Sequence, residues 1–228
     1  MKISIIIPVL NEAENLKELL PFFIKINIQE QQEVIVVDGG STDGTKEVVE
    51  KAGFRFLTCG IQSRAAQMNM GAKESNGDTL YFVHADVRIL QSFYEDIKSS
   101  LNEGFQAGCF AYNFDSPDRM LRINSWFTQF NGLLSGGGDQ TLFIRKDVFW
   151  ELGGFDEKFC LMEDFELVRR IKKKYGFTVI PKRILVSARK YENNSWLRVQ
   201  IANFIVFGLF FLNHPPTKLK ALYSRLLK

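Results

Sequence analysis

Three cysteines in 228 residues, Cys59, Cys109 and Cys160, are too few, too scattered and odd in number for a disulfide framework or a zinc site. A reducing cytoplasm fits them. The N-terminal apolar run Ile3 to Ile7 is cut short by Pro8 and by Asn11-Glu12, so it lacks a signal-peptide core and no secretion is expected. The apolar stretch Ile201 to Leu212 has 12 residues, against the about 20 that a membrane-spanning helix needs. Both nucleotide fingerprints with a fixed glycine spacing, G-x-G-x-x-G and the P-loop with its Gly-Lys-Ser/Thr, are missing. So are nucleic-acid motifs, internal repeats and low-complexity linkers, and no nucleic-acid partner is expected.

What is present is ordinary in bulk and uneven in detail. With 46% hydrophobic and 24% charged residues the chain builds one substantial core. We expect a domain over 1–190 and a C-terminal appendage over 191–228. The net charge is +3, yet residues 165–228 carry 14 Lys and Arg against Glu166 and Glu192, a local +12 that leaves −9 for the rest. A basic tail of this kind points to an anionic surface, and without nucleic-acid motifs a membrane is the natural one.

Short β-branched runs alternate with amphipathic stretches through the first half, the pattern of βαβ units and a largely parallel, doubly wound sheet. Strands are expected at Ile3 to Ile7, Val34 to Val37, Phe54 to Thr58 and Thr79 to Val83. Helices are expected over Ala13 to Ile26, kinked or split by Pro21, Thr42 to Lys51 and Ser63 to Glu74. Beyond Asp86 we read helices at Phe93 to Asn102, Pro117 to Leu133 and Glu163 to Tyr175. Further strands are expected at Ala107 to Phe114, Gln140 to Arg145, Phe177 to Ile180 and Ile184 to Ser187. A basic amphipathic segment, Thr217 to Lys228, closes the chain.

In an open parallel sheet, ligands sit where the carboxyl ends of strands meet their loops, close to free helix N–H groups. Three polar segments follow strands here: Pro8 to Glu12, Asp38 to Thr45 and His84-Ala85-Asp86. Asp38-Gly39-Gly40-Ser41 is either a turn leading to a helix cap or a carboxylate on a backbone open enough to grip a base N–H and a ribose hydroxyl. Asp86 either caps a turn or serves Mg²⁺, which takes few protein carboxylates and completes its shell with substrate phosphates. Glu163-Asp164 opens a helix, where acids are a common capping device, and a carboxylate there suits proton removal from an attacking hydroxyl. Arg64, beside a helix start, suits a diphosphate, although a surface arginine needs no such role.

Taken in order, these segments resemble the family 2 glycosyltransferases over roughly residues 2 to 190. The carriers are Ile5 to Glu12, Val36 to Thr45, Arg64 to Ala72, His84-Ala85-Asp86, Gly153-Gly154-Phe155 and Met162 to Leu167. The resemblance implies a GT-A fold, α/β with a mixed, mostly parallel sheet flanked by helices, and a sugar moved from a UDP- or GDP-sugar to an acceptor hydroxyl. By position it implies that Glu12, Asp38 and Gly39 meet the nucleoside, that Pro8 and Asn11 shape its pocket, and that Arg64 lies near the diphosphate. Asp86 matches the last acid of the family's D-x-D motif and would bind Mg²⁺ or Mn²⁺. Asp164 matches the catalytic base of inverting members, with Glu163 beside it on the acceptor side. The first acid of D-x-D is His84 here, a departure that touches the ribose contact and the metal preference. His-Ala-Asp also marks a bacterial subgroup, in which Gly138, Asp139 and Gln140 would lie beside the acceptor.

Ile201 to Leu212 reads either as a buried helix or dimer contact, or as an interfacial helix. Trp196 and Arg198 before it, and Lys218, Lys220 and Arg225 after it, suit a headgroup layer. Peripheral contact with the inner face of a membrane through residues 196–228, and a lipid-linked or amphiphilic acceptor, follow from the second reading. Two rival functions stand beside transfer. A nucleotidyltransferase needs a Gly-rich basic loop after the first strand, which Pro8 to Glu12 lacks; a sugar-nucleotide sensor without turnover is suggested by His84.

Overall fold

The computed structural model describes residues 1–26, 31–132, 135–137 and 140–227. The expected parallel half is present as β1 (Ile3–Val9), α1 (Ala13–Lys25), β2 (Gln32–Asp38), α2 (Thr45–Lys51), β3 (Arg55–Thr58), α3 (Arg64–Glu74) and β4 (Thr79–Phe82). The second half adds β5 (Val87–Arg88), α4 (Phe93–Asn102), β6 (Ala107–Phe114), α5 (Arg119–Phe127), β7 (Leu142–Arg145), α6 (Lys146–Glu151), α7 (Glu163–Lys174) and β8 (Phe177–Val186). Three helices follow: α8 (Arg189–Glu192), α9 (Trp196–Phe211) and α10 (Pro216–Leu226).

The strands form one sheet in the order β3-β2-β1-β4-β7-β6-β8-β5. β1 pairs in parallel with β2, Val9 opposite Asp38, and with β4, Ile6 opposite Phe82. The carboxyl ends of these strands therefore share one edge. β7 runs antiparallel to β4 and β6, while β6 and β8 are parallel. Residues alternate across the sheet, so Ile5 and Ile7 join Leu16, Phe23, Tyr81 and Phe93 on one face. Ile6 joins Met68, Phe82, Phe149 and Leu167 on the other.

Several expectations are corrected. α1 runs unbroken through Pro21; Pro21 and Lys17 both lie on its exposed face, so the carbonyl that proline leaves without its helical donor faces solvent rather than the core. α2 begins at Thr45 because Asp43 accepts from the Thr45 backbone and hydroxyl. α5 stops at Phe127, short of Leu133, because the Thr128 hydroxyl docks on the Tyr112 backbone of β6. The two short strands expected at 177–187 are one, β8, with an irregular register opposite Phe110/Ala111 where Pro181 falls.

The apolar stretch Ile201 to Leu212 lies within α9. Among the described residues, no helix is long and apolar enough to cross a membrane. α9 buries Val199, Ala202, Val206 and Phe210. Val206 and Phe210 cluster with Met162 and with Leu219 of α10. Its opposite stripe is apolar too: Leu197, Ile201 and Phe204, and Leu212 just after the helix, are each at least half exposed.

Candidate active site

Two loops at the sheet edge lock together. Asn11, with φ of 56°, accepts from the Thr42 backbone N–H at 2.8 Å, and its own N–H donates to the Ser41 hydroxyl at 2.7 Å. Glu12 and Ala13 donate backbone N–H groups to Thr45 Oγ1 and Asp43 Oδ2. Asp38 is buried, and its oxygens accept from the N–H groups of Gly40 and Ser41 and from the Ser41 hydroxyl. The carboxylate thus builds its own turn. Pro8 is buried within β1 opposite Val37, and Gly39 donates its N–H to Val9 O at 2.9 Å.

Gln67 of α3 escaped the sequence reading. Its buried amide donates to Val9 O and Val37 O, both at 2.8 Å, and so ties the ends of β1 and β2 together. The signal for it was the row of small residues around it: a Cβ on Gly71 would stand 2.5 Å from Ile6 Cγ2, which shows how closely α3 presses on the sheet.

Beside these loops opens a cavity of about 960 Å³. Its wall brings together Arg64, His84, Asp86, Gln140, Glu163 and Asp164, expected from four separate stretches of sequence. Pro8, Asn11, Glu12, Asp38 and Gly39 are not on that wall; they sit at the ends of β1 and β2 and in the loops that follow. Gly138 and Asp139 lie outside the described residues. Glu163 and Asp164 are buried at the first turn of α7, and the residue before them, Met162, has φ of 69°, a conformation that non-glycine residues adopt only when the surroundings hold it.

The start of α7 is braced from behind. Arg170 grips Glu166 with two nitrogens and donates to Leu152 O and Gly154 O. Asn69 of α3 exchanges hydrogen bonds with the Phe155 backbone. The Gly153-Gly154-Phe155 segment is therefore a splint between α3 and α7. Gly154 has φ of 69°, and a Cβ there would fall 2.8 Å from Asn69 Oδ1.

Arg64, the first residue of α3, donates to Glu163 at 3.2 Å across the cavity. Burial, and then the charge of Arg64, pull the His84 imidazole down to about 3, so it is neutral at physiological pH. Gln140 is buried, with its amide bonded to Phe110 O, Thr128 O and the Gly136 N–H. It holds the 135–137 loop in place beside the cavity. Arg189 and Lys190 of α8, and the rings of Tyr112, Phe127 and Tyr191, complete parts of the wall that sequence reading did not find.

The residues present fit a hard divalent cation. Among the described residues no three His, Cys, Asp or Glu side chains cluster as a closed metal site. A cation held by Asp86, with neutral His84 on the same wall, would take most of its shell from substrate oxygens, as Mg²⁺ and Mn²⁺ do elsewhere.

Comparison with known proteins identifies the family and the fold. The model of glycosyl transferase family 2 matches residues 4–153, and that of glycosyltransferase like family 2 matches residues 113–212. The glycosyltransferase AglE of Haloferax volcanii is 35% identical over 173 residues, covering 67% of this chain and 55% of the relative. An undecaprenyl-phosphate 4-deoxy-4-formamido-L-arabinose transferase of Proteus mirabilis is 26% identical over 135 residues, 55% of this chain and 39% of its own. The chain thus spans about half the length of the curated relatives it matches. Among solved structures, the mannosyltransferase PcManGT from Pyrobaculum calidifontis, in complex with GDP-Man and Mn²⁺, superposes with a TM-score of 0.72 at 18% identity over 99% of this chain and 69% of that one. S. aureus TarS 1-349 gives 0.68 at 17% identity, over 99% and 70%. The sheet and its flanking helices have the GT-A fold. With two thirds of its length matched by the family's own model, the chain belongs to glycosyl transferase family 2.

Proposed function

We propose that the protein moves a sugar from a nucleoside diphosphate donor to an acceptor hydroxyl, with inversion at the sugar carbon. The observation that carries this reading is the single cavity on which Asp86, Asp164, Arg64 and His84 meet. Asp164 takes the acceptor proton as the hydroxyl oxygen attacks the anomeric carbon and the bond to the diphosphate breaks. Arg64 neutralises charge on the leaving diphosphate, and Asp38, Gly39 and Glu12 hold the nucleoside at the adjoining loops, shaped by Pro8 and Asn11. Asp86, with His84 beside it, would hold Mg²⁺ or Mn²⁺, which supplies Lewis-acid neutralisation of the diphosphate. Glu163 and Gln140 border the acceptor side, with Asp139 proposed there from sequence alone. A neutral His84 suits a ribose hydroxyl better than a second acid's role.

A thermal-shift screen of UDP, GDP and their sugars, with and without Mn²⁺, tests the reading. Metal-dependent stabilisation by one nucleotide family is expected, of about 2.7 kcal/mol when ligand is at 100 times its Kd. No stabilisation by any of them would remove the donor from the proposal. The rival sensor reading differs in turnover and is separated by the base variant discussed below.

A lipid-linked or amphiphilic acceptor and peripheral membrane contact through residues 196–228 are proposed with it. The supporting observation is the bare apolar stripe of α9, with Phe204 81% exposed beside a basic segment. The undecaprenyl-phosphate transferase among the relatives points the same way. A homodimer covering that stripe is the competing arrangement.

A further inference from the structure

Arg189 reaches the candidate site from the far end of the chain. Val186, near which β8 ends, pairs with Val87, the residue after Asp86, so the chain leaves the sheet beside the proposed cation site. That exit is fixed by its backbone: Asp115 N–H donates to Val186 O at 3.0 Å, and Ala188 N–H donates to Asp115 Oδ1 at 2.6 Å. Three residues after Val186, Arg189 lines the cavity with Arg64, Asp86 and Asp164. Its guanidinium meets Glu12 Oε1 at 3.4 Å, joining segments 177 residues apart. The pair is loose, for the arginine side chain is 59% exposed, and exposed ion pairs exchange readily for a stronger anion. The Glu12 carboxylate is also engaged by Asn15. The other two cations on the wall have other engagements, Arg64 with Glu163 and Lys190 over the Tyr223 ring.

We propose that Arg189 grips the diphosphate of the donor with its planar fork, and that Glu12 parks it at the edge of the cavity when no donor is bound. This rests on the sugar-nucleotide reading above and adds to it a residue that no motif of the first 190 positions marks. An arginine suits the task because its donors match two phosphate oxygens at once, which a lysine does not.

The test is calorimetric titration of the whole chain with UMP, UDP, GMP and GDP at fixed Mn²⁺, comparing the natural protein with Arg189→Gln and Arg189→Lys. For whichever base the natural protein prefers, Arg189→Gln should weaken the diphosphate about tenfold or more and leave the monophosphate within about twofold, the scale of a lost charge-assisted bond to one phosphate. Arg189→Lys should fall between. Retained monophosphate binding also shows that the variant is folded. Unchanged diphosphate affinity, or an equal loss for both nucleotides, overturns the role of Arg189 while leaving the donor reading standing. A natural protein that binds neither UDP nor GDP sinks both.

Discussion

Arg64 and Glu163, 99 residues apart and each the first residue of its helix, meet at 3.2 Å across the candidate site. The arginine is half exposed and the glutamate is buried. The pair joins α3, which packs on the parallel half of the sheet, to the helix that carries the proposed base.

Removing the guanidinium should cost stability and donor affinity together. Arg64→Ala withdraws a charged donor from a buried carboxylate, a loss of about 1–2 kcal/mol after allowance for the exposure of the arginine. The measurement is denaturant unfolding alongside UDP or GDP titration. Full stability with full affinity would show that the contact is incidental.

Asp164→Asn separates an enzyme from a sensor. The amide keeps shape but cannot take a proton, so turnover should drop by about 10² or more while nucleotide binding survives. Sugar transfer measured with the preferred donor decides the point; undiminished turnover would exclude Asp164 as the base.

Gln67→Leu should loosen the nucleotide loops from below. Its amide serves two buried strand-end carbonyls, and an apolar side chain leaves Val37 O without this donor. We expect about 1–3 kcal/mol of destabilisation, read by thermal melting, and a weaker nucleoside affinity. Val9 O retains the Gly39 N–H.

Glu33 gives a pH-dependent contribution. Burial raises its pKa, but hydrogen bonds from the Ser4 hydroxyl and from the Asn76 backbone and side chain outweigh this and hold it below the usual value of 4.5. A depressed carboxyl stabilises the fold above its unfolded pKa and loses that contribution as pH falls through its folded one. Glu33→Gln should therefore cost more stability at pH 7 than at pH 2.5. Equal costs at both would refute the assignment.

Phe204→Ser tests the outer face of α9 without disturbing the core, since the ring is already in solvent. Melting should stay within about 0.5 kcal/mol of the natural protein. Sedimentation with anionic phosphatidylglycerol vesicles should fall. Binding that persists undiminished would remove the membrane reading, and loss of a dimer in light scattering would replace it with self-association.

The elements that sequence made legible are those whose side chains settle their own environment. β6 and α4 appear with the expected bounds because one is an apolar run and the other alternates buried Phe93, Ile97 and Leu101 with charge. β5 was invisible, since two residues have no periodicity and only pairing with β8 makes them a strand. The acids and Arg64 were legible because each follows a strand or opens a helix. Gln67 and Arg189 were not, for a polar residue on a helix or a basic one in a tail looks solvated until distant chain segments surround it.

The edge-to-face contact of Phe165 with Phe207, centroids 4.6 Å apart, joins α9 to the turn that carries the proposed base. Phe165 follows Asp164 directly, and Phe207 belongs to the helix whose far side is bare. The two rings thus tie the first turn of α7 to the C-terminal helix pair, so the outer helices and the cavity wall share one cluster of side chains.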